Sequence, residues 1–563
     1  MFTVTAWRGW CVMAWREQEL PPFTLLSGMN QKNCFWRRWA RVACMVVMLD
    51  VSLITIPGVA HAAPADYDAS FGGGVSRWFL SLNGQLSQAQ AIVSQPDGKV
   101  LFAGGCRGIS VQKTAFCVMR LHGNGQADTS FGSTGLTVTH VTPGFGSDIP
   151  QAMLLQPDGK VVVAGTCNSD TGGYDFCVVR YLANGTPDTA FGNAGRVLTA
   201  LSAGTGSDLA HAVALDPAGN IVVAGQCGAP SNSCLASYDA VTGALRPAFG
   251  TGGIQVFRMS GDPAAQESIN ALATDRFGRL HTAGSCHPNL DTALDFCVAR
   301  LGAAGALDTN FGPGTGWVST SFAADKLDDA ANALLVQADG KLLAAGSCRI
   351  SPNVYGLCLA RYLGNGSPDT TFDAAFAASG KVVTAPATHP VSAIRSLVLQ
   401  PDGRIVAAGI CQKVTPAADA DICVARYLPE GQTDASFGSN GVAIIYPTSP
   451  SATLQEAAFA LAMQPGGRLL VAAACGNTGT LSADACVIAL AGGPLGYRRC
   501  SLDLDGDGVA RADTDALLFT RLMFGVSSNA AVQGLSFPPA AVRNSAALIR
   551  RHAIEQCGFS VAP

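Results

Sequence analysis

The chain has 563 residues, with 36 lysines and arginines against 40 aspartates and glutamates, a net charge of −4 and only 13% charged residues. That balance excludes a basic face for nucleic acid or for an anionic membrane. Sparse aromatics, at 7%, and 64 glycines suit a turn-rich all-β chain, long enough for a large repeat domain and one small module.

The N-terminal stretch reads as a targeting segment. Lys32, Arg37, Arg38 and Arg41 precede an apolar run over residues 42–60, which ends in Ala60-His61-Ala62 ahead of Ala63. A basic region, an apolar region and an A-x-A site describe a secretory signal peptide. The run is nearly long enough to span a bilayer, but Asp50 and Pro57 inside it favour cleavage. Residues 1–28 have no basic region of this kind, so translation is expected to start at Met29. Residues 1–62 are therefore taken as extension and leader.

From there the chain repeats itself. Turn glycines fall at Gly98, Gly159, Gly219, Gly278, Gly340, Gly403 and Gly467, in steps of 61, 60, 59, 62, 63 and 64 residues. In the second copy, residues 153–156 and 160–164 are apolar runs flanking Pro157-Asp158-Gly159, a hairpin signature in which proline presets φ and glycine takes the positive-φ position. A third run at 176–182 and a fourth at 196–201 complete four short strands. Four antiparallel strands per copy, seven times over, predict an all-β, seven-bladed β-propeller of four-stranded blades over residues 63–493.

Cysteine spacing points to export. Cys11, Cys34 and Cys44 precede the cleavage site, which leaves 16 of the 19. Fourteen fall as one pair per copy: Cys106/Cys117, Cys167/Cys177, Cys227/Cys234, Cys286/Cys297, Cys348/Cys358, Cys411/Cys423 and Cys475/Cys486. Each pair is expected to join the end of the third strand to the start of the fourth, where Cα atoms come within disulfide reach. Zinc is disfavoured, because C-x-x-C spacing and regularly placed histidines are both missing. An oxidised set of this size belongs in the periplasm, at the cell surface or outside the cell.

The pattern PDGK-hydrophobic-AG followed by CVVRYxxNGxxDxxFGxxG, complete in the second copy, resembles the delta-60 repeat, a bacterial β-propeller repeat. The resemblance covers roughly residues 68–492 and implies a propeller without implying any enzymatic activity; the cysteine pair in every copy is a departure from it.

Comparison of the copies exposes two polar features. An arginine on the fourth strand is followed eight residues later by an aspartate: Arg120/Asp128, Arg180/Asp188, Arg300/Asp308, Arg361/Asp369 and Arg426/Asp434. The third copy loses both members together, to Ser237 and Arg246, so the two are expected to touch as a structural ion pair. The second feature is an acid eleven residues before the turn glycine, at Asp148, Asp208, Glu267, Asp329 and Glu456, with Ser87 and Ser392 in the other copies. These side chains either cap their own loops or form a cation-attracting rim at the channel mouth.

Residues 494–563 form a different module. Asp503, Asp505 and Asp507 with Gly508 occupy positions 1, 3, 5 and 6 of an EF-hand-type loop, and Asp513 or Asp515 is the candidate closing carboxylate, because position 12 is Thr514. A helix is predicted over 514–524, with Leu517, Leu518 and Leu522 on one face. This resembles half of a dockerin, a small α-helical calcium module; the second half, 540–557, has a helix but no acidic loop. Cys500 and Cys557 are expected to close it.

The chain contains no G-x-S-x-G, H-E-x-x-H or P-loop, and its eight histidines share no repeat position. The expected function is a secreted or surface scaffold that binds an unidentified protein or glycan, with calcium in the C-terminal module, no nucleic acid, and no membrane after signal cleavage. The alternative is an extracellular enzyme with its active site at the propeller channel.

Overall fold

A computed structural model describes residues 65–78 and 88–492, apart from short loop segments, and isolated positions between 517 and 549, all within the compact unit 62–563. The leader, the cleavage site, Met29 and Ser87 lie outside the described residues. So do the acidic loop of Asp503, Asp505, Asp507, Asp513 and Asp515, and the Cys500/Cys557 pair. Among the described residues Leu517, Leu518, Arg521 and Ile549 are helical, and no helical module is seen.

The second copy shows how one repeat folds. Asp148–Leu155, Val161–Asn168, Tyr174–Tyr181 and Arg196–Thr199 pair in that order as an antiparallel sheet, and these are its first to fourth strands. The Pro157-Asp158-Gly159 turn joins the first two. Gly159 has φ +82°, and Gln156 and Lys160 close the hairpin through an N–H···O contact of 2.8 Å. The second and third strands are buried along almost their whole length, which is why they read as unbroken apolar runs and not as an alternation.

Multiple sheets repeat this plan, as in a propeller: five four-stranded sheets and one of eight strands. The eight-stranded one is two such units joined by a single parallel bridge, Tyr355 to Val391. The first strands are Gln88–Ser94, Asp148–Leu155, Leu209–Leu215, Ser268–Thr274, Asp329–Val336, Val391–Leu399 and Ala457–Met463, and each contacts the next in a cycle that returns from the last to the first. Closure comes from the N-terminal end of the domain. Val75–Trp78 pairs antiparallel with Ser482–Leu490 and supplies the last sheet's fourth strand.

The cores lie between sheets and not within them. Leu101, Phe116 and Phe131 of one sheet pack with Val161, Val163 and Tyr181 of the next. The junction of last and first sheets is built the same way, from Phe71, Leu470 and Val487 of the last against Val100 and Phe102 of the first.

Seven disulfides form at the expected pairs, Cys106–Cys117, Cys167–Cys177, Cys227–Cys234, Cys286–Cys297, Cys348–Cys358, Cys411–Cys423 and Cys475–Cys486, with Cα–Cα distances of 5.6–5.9 Å. Their strands differ from the expectation and correct it. Cys117, Cys177, Cys234, Cys297, Cys358, Cys423 and Cys486 do not start a fourth strand; each lies on the third strand of its sheet. Their partners Cys106, Cys167, Cys227, Cys286, Cys348, Cys411 and Cys475 lie near the end of the second. The strand ahead of each PDG turn is the sheet's first, so the run at 176–182 that carries Cys177 is its third, and each bridge spans the hairpin between second and third strands. The repeated arginines sit on the third strand too.

Register explains why the bridges close. Cys106 stands opposite Ala115, Cys227 opposite Asn232, Cys348 opposite Gly356 and Cys475 opposite Asp484, so each bridge runs diagonally to the cysteine two residues further along the facing strand. Two residues further keeps both side chains on one face of the sheet. All fourteen sulfurs belong to buried residues, so these cysteines are core staples and line no open site. Seven disulfides indicate an extracellular or periplasmic protein, and no helix among the described residues is long and apolar enough to cross a membrane.

Candidate functional site

The repeated arginines reach well beyond their own sheets. Arg180 Nε donates to Asp188 Oδ2 at 2.9 Å, and its Nη2 donates to the Val241 carbonyl of the next sheet at 2.8 Å. Arg120 pairs with Asp128 at 2.8 Å and reaches the Ala183 carbonyl at 2.6 Å; Arg361 pairs with Asp369 at 2.8 Å and reaches the Pro429 carbonyl at 2.6 Å. Arg300–Asp308 and Arg426–Asp434 follow the pattern. In the third copy the charges change places: Arg246 donates to Asp216 Oδ2 at 3.0 Å and to the Ser237 hydroxyl at 3.2 Å. In the last sheet the aspartate arrives from the closing segment, where Asp68 accepts from Arg468 Nε at 2.7 Å. The five Arg/Asp pairs and Arg468 reach carbonyls of the next sheet and so staple sheets together, whereas Arg246 stays within its own.

The acids before the turns act as caps as well. Asp148 accepts the Val141 N–H at 2.7 Å and the Thr142 hydroxyl at 2.9 Å; Asp208 accepts the Leu201 and Ser202 N–H groups at 2.6 and 2.9 Å. Glu267 takes the Met259 N–H at 2.8 Å, Asp329 those of Phe322 and Arg349 at 2.8 and 3.1 Å, and Glu456 that of Gly476 at 3.3 Å. All five acids are buried; Asp148, Asp208, Glu267 and Asp329 fasten the loop arriving from the preceding sheet and Glu456 ties a strand of its own sheet, instead of forming a rim of free carboxylates. Burial pushes Asp329 up to about 6 against the pull of its two N–H donors, with the Asp295 carboxylate adding to the rise. Glu267 is raised for the same primary reason. Among the described residues no three His, Cys, Asp or Glu side chains are placed to hold a metal.

The sixth copy lacks the acid, and His389 takes over the tie. Its Nε2 lies 2.8 Å from Asp421 Oδ2 and its Nδ1 2.7 Å from the Thr388 hydroxyl, while Lys413 also sits 3.1 Å from Asp421. Ser392, in the acid's place, donates to the His389 carbonyl at 2.8 Å. A cavity of about 200 Å³ opens between two sheets beside Thr320, Ser321, Tyr362 and Lys381, but Lys381 Nζ is spent on the Ser321 carbonyl at 2.6 Å and the Tyr362 hydroxyl on Thr320 at 2.7 Å.

What remains is the inner edge of the cycle. Each first strand carries a register shift at the same place, and one residue stands out of the pairing there: Gln90, Gln151, His211, Asn270, Asn332, Arg395 and Phe459. A β-bulge leaves its extra residue unpaired and re-aims the side chain. On the second strand opposite, Gly165, Gly225, Gly284, Gly346 and Gly409 leave room for the bulge, since a Cβ at any of them would lie within 2.1 Å of a first-strand carbonyl oxygen. The last sheet keeps its bulge with Ala473 opposite Ala458, which the glycine rule does not explain.

The bulge residues of neighbouring sheets touch. His211 Nδ1 donates to the Ile269 carbonyl at 3.1 Å, Asn270 Nδ2 to the Ala331 carbonyl at 2.9 Å, and Asn332 Nδ2 to the Ile394 carbonyl at 2.9 Å. Burial lowers the His211 pKa, so the ring is a neutral donor at neutral pH. This belt was missed in the sequence, although its members all stand eight residues before a turn glycine. The available signal was one aligned position that varies among polar, charged and aromatic residues between neighbours that are small or apolar.

Four stretches, residues 95–131, 156–191, 337–372 and 400–437, match a β-propeller domain family of unknown function (DUF5122). These matches support a β-propeller repeat family. Among solved structures, a protein of unknown function from Dyadobacter fermentans is 12% identical over 62% of this chain and 98% of its own, with a TM-score of 0.36. Sqt1 from Chaetomium thermophilum, bound to the N-terminus of a ribosomal protein, is 10% identical over 74% and 100%, with a TM-score of 0.40. A polysaccharide lyase, ulvan lyase, is 11% identical over 72% and 95%, with a TM-score of 0.38. Comparison with curated proteins yields no match.

Proposed function

We propose that the chain is a secreted, seven-bladed propeller of the delta-60 type that serves as a binding scaffold, with a ligand entering the channel bounded by the first strands. The observation that carries this reading is the belt of bulge residues. Positions that staple the sheets repeat from copy to copy, whereas the belt position holds Gln, Gln, His, Asn, Asn, Arg and Phe at one register. A position whose side chain the ladder does not dictate, lined with donors and one aromatic ring, suits recognition of a small polar ligand or of one residue of a glycan or protein chain. The 494–563 module, with calcium held by Asp503, Asp505, Asp507 and Asp513 or Asp515 in a dockerin-like loop, orients or attaches the propeller.

The test is equilibrium binding of the mature protein to extracellular glycans and proteins, with and without EDTA, while products are followed in parallel. Saturable binding without turnover is the expected result. Turnover abolished by substitution of a belt residue would assign the protein to the channel-enzyme class instead.

A further inference from the structure

The belt is asymmetric in charge. Six of its members are neutral at pH 7, and Arg395 is its one cation. The arginines of the stapling position each sit on an aspartate within 2.9 Å, but Arg395 is exposed and has no hydrogen bond or ion pair among the described residues. Partial desolvation draws its pKa below the ordinary arginine value, with no carboxylate to offset it. A guanidinium in such a place lacks the planar oxygen pair that its five donors match.

The neighbours of Arg395 supply the rest of a site. The hydrogen-bonded run from His211 through Asn270 to Asn332 ends on the Ile394 carbonyl, at the residue before Arg395. On the other side the Ser396 hydroxyl accepts the Leu461 N–H at 3.0 Å, tying this strand to the one that carries Phe459. The cation is thus flanked around the cycle by an amide-bearing bulge on one side and an aromatic one on the other. Amides and imidazole suit sugar hydroxyls, and an aromatic face suits the apolar face of a pyranose ring.

From this juxtaposition we propose that the channel binds a carboxylate-bearing sugar, a uronic acid, with Arg395 holding the carboxylate and the amide belt facing the hydroxyls. The proposal rests on the scaffold reading above and names its ligand class.

Calorimetric titration of the full mature protein with D-glucuronate and with D-glucose tests it, using wild type, R395Q and R395K. The expected result is saturable glucuronate binding that exceeds glucose binding and weakens with added salt. R395Q should weaken glucuronate by roughly tenfold or more, the scale of one charge-assisted pair, leave glucose unchanged, and be partly rescued in R395K. Because Arg395 holds no structural partner, R395Q should melt as the wild type does. Equal binding of glucose and glucuronate, unchanged glucuronate affinity in R395Q, or no binding of glucuronate would each overturn the assignment. Turnover of glucuronate-containing glycan with the Arg395 dependence intact would instead sink the scaffold reading and leave the ligand class standing.

Discussion

Arg180 is only 2% exposed, yet its guanidinium has a partner on every side: Asp188 in its own repeat, and the carbonyls of Ala240 and Val241 in the next. Burying the charge is tolerable because of those partners, and taking the cation away strands Asp188, whose other cation, Lys160, stands 3.7 Å off. Arg180→Met should therefore cost about 3 kcal/mol or more, read as a fall in denaturant midpoint; an unchanged midpoint would refute the stapling role. The Arg/Asp spacing of eight was legible because partner and periodicity sit in one repeat. The third copy was not, because its rebuilt pair joins Arg246 to Asp216, thirty residues back on a neighbouring turn. Two carboxylates should also titrate with opposite sign. Burial would raise Asp369, but hydrogen bonds from Thr371 and the Arg361 charge outweigh it and hold it at about 2. Its contribution is full above the unfolded value of 3.8 and is lost as pH falls toward 2. Asp329, held near 6, carries a cost that is absent below 3.8 and full above 6. The melting-temperature advantage of wild type over D369N should shrink on acidification, whereas its advantage over D329N should shrink as pH rises from 4 toward 6.5. Parallel slopes in the two comparisons would contradict the burial and pairing assigned here.

Between elements, the recurring device is a phenylalanine of one sheet seated on a turn glycine of the next. Gly185 has φ +86°, and a Cβ there would come within 2.9 Å of the Phe131 ring; Gly125 stands in the same relation to Phe71, and Gly243 to Phe191. Gly185→Ala should lose about 2 kcal/mol or more, by combining a left-handed backbone penalty with overpacking. Gly466→Ala, where a Cβ meets nothing within 4 Å, should lose little, so the pair of variants separates packing from generic glycine loss in a single melting experiment. The motif residues Asn-Gly and Phe-Gly were plain in the sequence, but that they meet each other one repeat apart is a property of sheet order. The cysteine pairs were legible for the opposite reason, since Cys106 and Cys117 and their counterparts lie on adjacent strands of one hairpin. The bulges were hidden altogether. An extra residue in a strand changes neither composition nor turn spacing, and only the pairing register shows that Asn270 or Arg395 stands outside the ladder.

At the scale of the whole cycle, seven PDG-type turns showed how many hairpins to expect without showing where the chain shuts. The closing segment carries its own copy of the aspartate and Phe-Gly, at Asp68, Phe71 and Gly72, ahead of the first turn glycine. These belong to the last sheet, since Asp68 meets Arg468 at 2.7 Å, Phe71 is fully buried in the junction core, and Val75 lies opposite Ile488. Repeat units that bury their apolar faces only against neighbours depend on every junction, and this junction alone is made by segments some 400 residues apart. Deleting the mature chain through Trp78 should leave Ser482–Leu490 as a bare edge and empty the Phe71 site, giving a lower, broader melt and a tendency to associate on size exclusion. A synthetic peptide of residues 65–78 added in excess should pair with that edge and restore the wild-type melt, as an added strand does in β-augmentation. A deletion variant that elutes and melts like the full domain would show that the cycle does not need this strand to stay closed.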